Sequence, residues 1–156
     1  MADGTTKPIE QVRVGDRVVA TDPKTGKTSA RPVSALIKSA GIKNVVQIAT
    51  GIDGNRGSFT ATDSHPFWVP ALDTWIEAGK LRPGTLLHTS AGTYTQVSAI
   101  RRWTQQNQVV NNLTVNEFHT YYVVSGNEAV LVHNANPCGP AAQFKVSTTL
   151  ACTRST

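Results

Sequence analysis

The sequence predicts an all-β protein assembled from a duplicated subdomain. Short runs rich in Val, Ile, Thr and aromatic residues recur along the chain, separated by Gly-, Pro-, Asn- and Asp-containing turns. No segment sustains an apolar stripe at the helical period. The first half also returns in the second. Ile9-Glu10, Val14-Gly15-Asp16 and Val33-Ser34-Ala35-Leu36-Ile37 are matched by Ile76-Glu77, Pro83-Gly84-Thr85 and Val97-Ser98-Ala99-Ile100-Arg101. The offsets, 76 − 9 = 67 and 97 − 33 = 64, nearly agree, and imply two β subdomains related by a pseudo-two-fold axis.

The elements follow in order. Lys7 to Gln11 is a turn or short helical piece leading into a strand from Val12 to Ala20, bent at Gly15 where Gly-Asp interrupts the alternation. Asp22 to Lys27 is a turn, Ser29 to Lys38 a second strand with Pro32 near its start, and Lys43 to Thr50 a third. A turn-rich loop precedes an extended segment from Ser58 to Thr62. In the second copy the strands are Thr85 to His88 and Tyr94 to Trp103, joined by the Ala91-Gly92 turn; Gln108 to Val115 follows as a further strand. Thr120 to Val124 and Glu128 to Asn134 form a hairpin across Ser125-Gly126-Asn127.

Composition narrows the classes. A chain of 156 residues suffices for one domain with a core. No apolar run approaches the length of a membrane span, so no membrane partner is expected. The first residues lack the apolar segment of a signal peptide, and the sequence leaves localisation open. The net charge of +5 comes from scattered basic residues, of which Arg101-Arg102 is the longest run. That pattern reads as a solvated surface and gives no nucleic-acid partner. The two cysteines, Cys138 and Cys152, both lie near the C-terminus, so the body needs no disulfide; a tail disulfide and free thiols are both open.

Two stretches can carry chemistry. Glu128-Ala129-Val130-Leu131-Val132-His133-Asn134 is an apolar strand that delivers an acid/base and a carboxamide to its own end. Ala135 to Pro140 is turn chemistry that stops the ladder. Thr60 to Pro70 holds Thr62 and His65, the histidine fixed from behind by Pro66, Phe67 and Trp68. Such a histidine can hydrogen-bond a reacting amide, or simply pack under Trp68. Hairpin pairing through Gly126 brings His119 and Thr120 near His133 and Asn134. His88, in an apolar strand without a companion motif, reads as structural. The spacing of His65, His119 and His133 resembles no compact zinc motif. No phosphate loop, Gly-x-Ser-x-Gly or His-Glu-x-x-His is present, so no metal and no cofactor are expected.

Together these pieces resemble the Hint (Hedgehog/intein) family, and the wording is closest to its bacterial intein-like and pretoxin members from polymorphic toxins. The resemblance covers Ala2 to Asn134. It rests on Ala2-Asp3-Gly4 to Ile9-Glu10 with Val14-Gly15-Asp16, on Thr62-x-x-His65, on Asn112-Leu113-Thr114-Val115 leading to His119-Thr120-Tyr121, and on the terminal His133-Asn134. It implies a horseshoe of two β subdomains over residues 1–134; residues 135–156 carry little core material and are expected to form a flexible flanking tail. It also implies self-cleavage, single-turnover rather than enzymatic turnover. The Asn134 side chain would attack its own carbonyl, His133 would protonate the departing amine or polarise the carbonyl, and His119 would assist the proton transfer. Thr62 and His65 would hold an upstream scissile amide for an acyl shift. The partners implied are the chain's own flanking bonds and a toxin module in the parent protein.

The sequence departs from the family at three places. The family begins with a Cys or Ser nucleophile on a strand ahead of the Ala-Asp-Gly segment, and this sequence opens at Met1; the acyl shift is therefore not expected, and an exposed strand edge is. Ala135 offers no hydroxyl or thiol, so ligation of the flanks is not expected. Asn112 stands where many members carry an acid. The reading left is cleavage at Asn134–Ala135, with a non-catalytic, truncated presenting module as the alternative.

Overall fold

A computed structural model of the chain describes residues 5–51, 56–133, 144–145 and 149–153, the last two segments by their backbone pairing. Among the described residues there are twelve strands: β1 (Thr6–Pro8), β2 (Arg17–Thr21), β3 (Thr28–Thr50), β4 (Gly57–Thr62), β5 (Pro66–Val69), β6 (Thr74–Glu77), β7 (Leu86–His88), β8 (Tyr94–Val115), β9 (Thr120–Ser125), β10 (Glu128–His133), β11 (Phe144–Lys145) and β12 (Thr149–Thr153). Helical structure among the described residues is limited to single 3-10 turns at Ile9–Gln11, Pro70–Leu72 and Ala78–Lys80. The protein is all-β, as its sequence indicates.

The strands run in the order β6-β5-β10-β9-β12-β2-β3-β4-β11-β8-β7, with β1 on β12 and a further long pairing of β3 with β8. The last strand of the family-like region, β10, is flanked on both sides, by β5 and β9. It is also buried on both faces. Val130 and Val132 enter the main core with Val18, Val33, Ile48, Phe67, Leu113, Tyr121 and Val123. Ala129 and Leu131 join a second cluster with Trp68 and Tyr122. Sheet neighbours on both edges and a core on each face make it a central strand. Each such fully buried Val or Leu contributes roughly 1.5–3 kcal/mol by leaving water.

The duplication is visible in main-chain hydrogen bonds. In the first copy Val12 N donates to Ile9 O, Asp16 N to Arg13 O, Gly15 N to Val33 O and Val33 N to Asp16 O. In the second, Leu81 N donates to Ala78 O, Thr85 N to Arg82 O, Gly84 N to Val97 O and Val97 N to Thr85 O. The Val33–Val97 correspondence read from the sequence holds. The Ile9–Ile76 correspondence moves by two positions, because Ile9 opens a 3-10 turn as Ala78 does, whereas Ile76 belongs to β6.

Three sequence expectations change. The strand expected from Val12 to Ala20 is confined to Arg17–Thr21, with a turn before it. The separate strands Ser29–Lys38 and Lys43–Thr50 are one continuous strand, as are Tyr94–Trp103 and Gln108–Val115. Their middles pair with each other, from Lys38 opposite Asn111 to Asn44 opposite Thr104, as a ribbon in which no residue of 34–44 or 98–109 is buried. With solvent on both faces, the ribbon has no apolar alternation to mark it. The β5–β6 hairpin was also unforeseen: Pro66 and Pro70 bracket Phe67-Trp68-Val69, and its turn uses Asp73 in the left-handed region at φ 48°.

Candidate functional site

Both neighbours of β10 carry a histidine just before they begin. His65 immediately precedes β5 and His119 immediately precedes β9. The ladders run antiparallel, with Val132 opposite Phe67 and His133 opposite Thr120. The end of β10 is thereby directed between the Thr62–His65 turn and His119. This hairpin register is the one the Gly126 turn leads to expect.

His133 is half-buried and sits in an aromatic corner. Its ring centroid lies 4.9 Å from that of Trp75, at an interplanar angle of 71°. Trp75 is held in turn by Trp68, 5.2 Å away at 68°. On the other side the His119 ring stands 6.3 Å from His133. His119 is exposed and has φ 55°, following the Asn116–Phe118 turn in which Phe118 N donates to Asn116 O. A left-handed residue at this position swings the chain into β9 and turns the ring toward β10. The pair thus joins an exposed imidazole to a sheltered one. Asn134 lies outside the described residues.

Thr62 and His65 close one turn, in which His65 N donates to Thr62 O at 3.1 Å. Backbone bonds from Asp63 N to Asn44 O, from Ala78 N to His65 O and from Gly79 N to Asp63 O fasten it. His65 is 0% exposed and Thr62 6%. The His65 ring packs near Phe67, at 5.7 Å, and Tyr121, at 6.4 Å, both edge-on. Trp68 is on the opposite face of β5, so it does not cover His65 as the simple packing reading has it.

Tyr121 was not singled out by the sequence. Its hydroxyl donates to Asn112 Oδ1 at 2.5 Å, and Leu113 N donates to the same oxygen at 2.7 Å. Burial pushes the Tyr121 phenol well above its ordinary pKa, so it remains a donor. Asn112 is 1% exposed and serves here as a neutral acceptor. His88 has its ring 6.3 Å from Tyr122 and 6.4 Å from Tyr94, and burial lowers its pKa. Among the described residues no group of His, Cys, Asp or Glu is placed to hold a metal ion.

A duplicated all-β body whose closing strand runs out between two histidine-bearing neighbours defines the Hint class of autoprocessing domains. The pretoxin HINT domain model matches residues 1–135, and the chain belongs to that family. The solution structure of a bacterial intein-like domain from Clostridium thermocellum is similar at 31% identity and TM-score 0.71, over 81% of this chain and 86% of that one. An intein from a hyperthermophile matches at 22% identity and TM-score 0.62, over 76% of this chain and 71% of that one. A DnaB intein from Synechocystis sp. PCC 6803 matches at 20% identity and TM-score 0.61, over 80% and 82%. The last two similarities speak to the fold. No curated protein sequence matches the chain.

Proposed function

We propose that this domain cleaves its own Asn134–Ala135 peptide bond by asparagine cyclisation. The observation that carries the reading is the His119–His133 pair, 6.3 Å apart at the end of the strand that leads into Asn134. Nδ2 of Asn134 attacks the Asn134 carbonyl carbon and loses a proton. The C–N bond to Ala135 breaks, and the amine of Ala135 takes a proton from the imidazole side. The body then ends in an aminosuccinimide. Attack within one residue needs no second reactant, and good positioning can supply about 7–11 kcal/mol of the barrier. His133 protonates the leaving amine, and His119, exposed to solvent, resupplies it.

Thr62 and His65 form the other wall. In this reading they buttress the reacting segment, and their further role in the family-type acyl shift depends on an upstream nucleophile. The pretoxin family name supports a parent protein carrying a toxin module that such cleavage would free. The test is the intact mass of purified protein over days, for the wild type and for Asn134→Ala. The wild type should shed residues 135–156 and the variant should not. A stable wild-type mass would instead favour a non-catalytic presenting module.

A further inference from the structure

After Asn134 the chain returns to the body. β12 pairs with three strands at once: Thr149, Leu150 and Ala151 lie opposite Pro8, Lys7 and Thr6 of β1; Leu150 also lies opposite Val123 of β9; and Cys152 and Thr153 lie opposite Val18 and Arg17 of β2. Among the described residues β12 is the only strand that pairs with both β9 and β2. It is also the only ladder partner of β1 among them. Without it β2 and β9 would each present an unpaired edge, and edges that carry buried apolar residues invite pairing. Val18 and Val123, the register partners of Cys152 and Leu150, are both 0% exposed.

The rest of this strand-accepting slot is already fixed. Thr21 N donates to Thr120 Oγ1, Thr120 Oγ1 donates to Thr21 O, and Thr21 Oγ1 shares a hydrogen with the Tyr122 hydroxyl, which ties β2 to β9 through side chains. Lys7 Nζ meets Asp16 Oδ2 at 2.6 Å and holds β1 beside the start of β2. The segment Thr149-Leu150-Ala151-Cys152-Thr153 is compact and free of Pro, Gly and charge, as an inserted strand must be.

We infer that residues 149–153 are an intramolecular strand complement, so that a nick at Asn134–Ala135 leaves the segment 135–156 bound to the body. The consequence rests on the cleavage reading; the complement itself does not. Cutting the bond and releasing the product are then separate steps, with release requiring β12 to be pulled from a three-sided backbone ladder.

Hydrogen exchange on full-length Asn134→Ala, which cannot cyclise, tests the complement alone. Amides of 149–153 should exchange at least ~100-fold more slowly than in an unstructured chain, together with those of β1. Exchange of 149–153 at unstructured rates, beside a protected β9–β10 hairpin, would overturn the inference. Native mass spectrometry of the nicked wild type tests the consequence: body and tail should travel as one species, and separation without denaturant would overturn it. A wild type that never nicks counts against cleavage alone and leaves the exchange result to decide the complement.

Discussion

His119 and His133 face each other across the β9–β10 hairpin at 6.3 Å between ring centroids, one exposed and one half-buried. In the proposed cleavage this pair would carry a proton from solvent to the end of β10. Replacing either histidine with Gln should slow loss of the 135–156 segment by roughly 100-fold, the low end of what one positioned acid/base contributes. Because both act on one proton path, the double variant should be little slower than the worse single one. Trp75→Ala should cost a smaller factor, about 3- to 10-fold, by loosening the ring at 4.9 Å that holds His133. Time courses on denaturing gels, fitted to single exponentials, give these rates.

Tyr121 and Asn112 form a buried pair whose main effect is on stability. Tyr121→Phe removes the donor to Asn112 Oδ1 but leaves Leu113 N on the same oxygen. The expected loss is about 1–1.5 kcal/mol, because the acceptor keeps one partner. Asn112→Ala removes the acceptor that both donors share and should cost more. Urea midpoints for the two variants check the order.

The acid limb of stability should depend on His88. Burial lowers its pKa below the ordinary 6.5, so the unfolded chain takes the proton first on acidification. The contribution of a neutral His88 is therefore fully present above pH 6.5 and declines as pH falls below it. His88→Gln should flatten the dependence of the urea midpoint between about pH 7.5 and 5.

Gly57 opens β4 against the turn that joins β9 to β10. A Cβ at Gly57 would overlap the backbone nitrogen of Gly126, and Gly126 itself holds φ 62°. Neither backbone can give way without moving the hairpin that carries His119 and His133. Gly57→Ala should destabilise by roughly 2–3 kcal/mol through overpacking. Thermal unfolding would show it.

Much of this was legible in the sequence. Val130, Leu131 and Val132 announce a strand, and Ser125-Gly126-Asn127 fixes its register so that His133 meets Thr120. The repeat of Val33 at Val97 follows from local turn chemistry, which sequence carries well. The β3–β8 ribbon was not legible, because solvent on both faces erases the alternation that marks a strand. Tyr121 escaped notice because its partner, Asn112, is reached only through tertiary packing. The pairing of β12 escaped for the same reason: a short strand of Thr, Leu, Ala and Cys shows its role only beside the edges it covers.

The most direct test of the central claim is the chemistry of the new C-terminus. Wild-type protein, incubated and then digested, should yield a C-terminal peptide ending at position 134 that is one water lighter than its hydrolysed form, the mark of an aminosuccinimide, and His133→Gln should yield it far more slowly. An intact wild-type chain, or cleavage at that bond giving only a plain carboxylate from the first time point and surviving Asn134→Ala, would contradict the account.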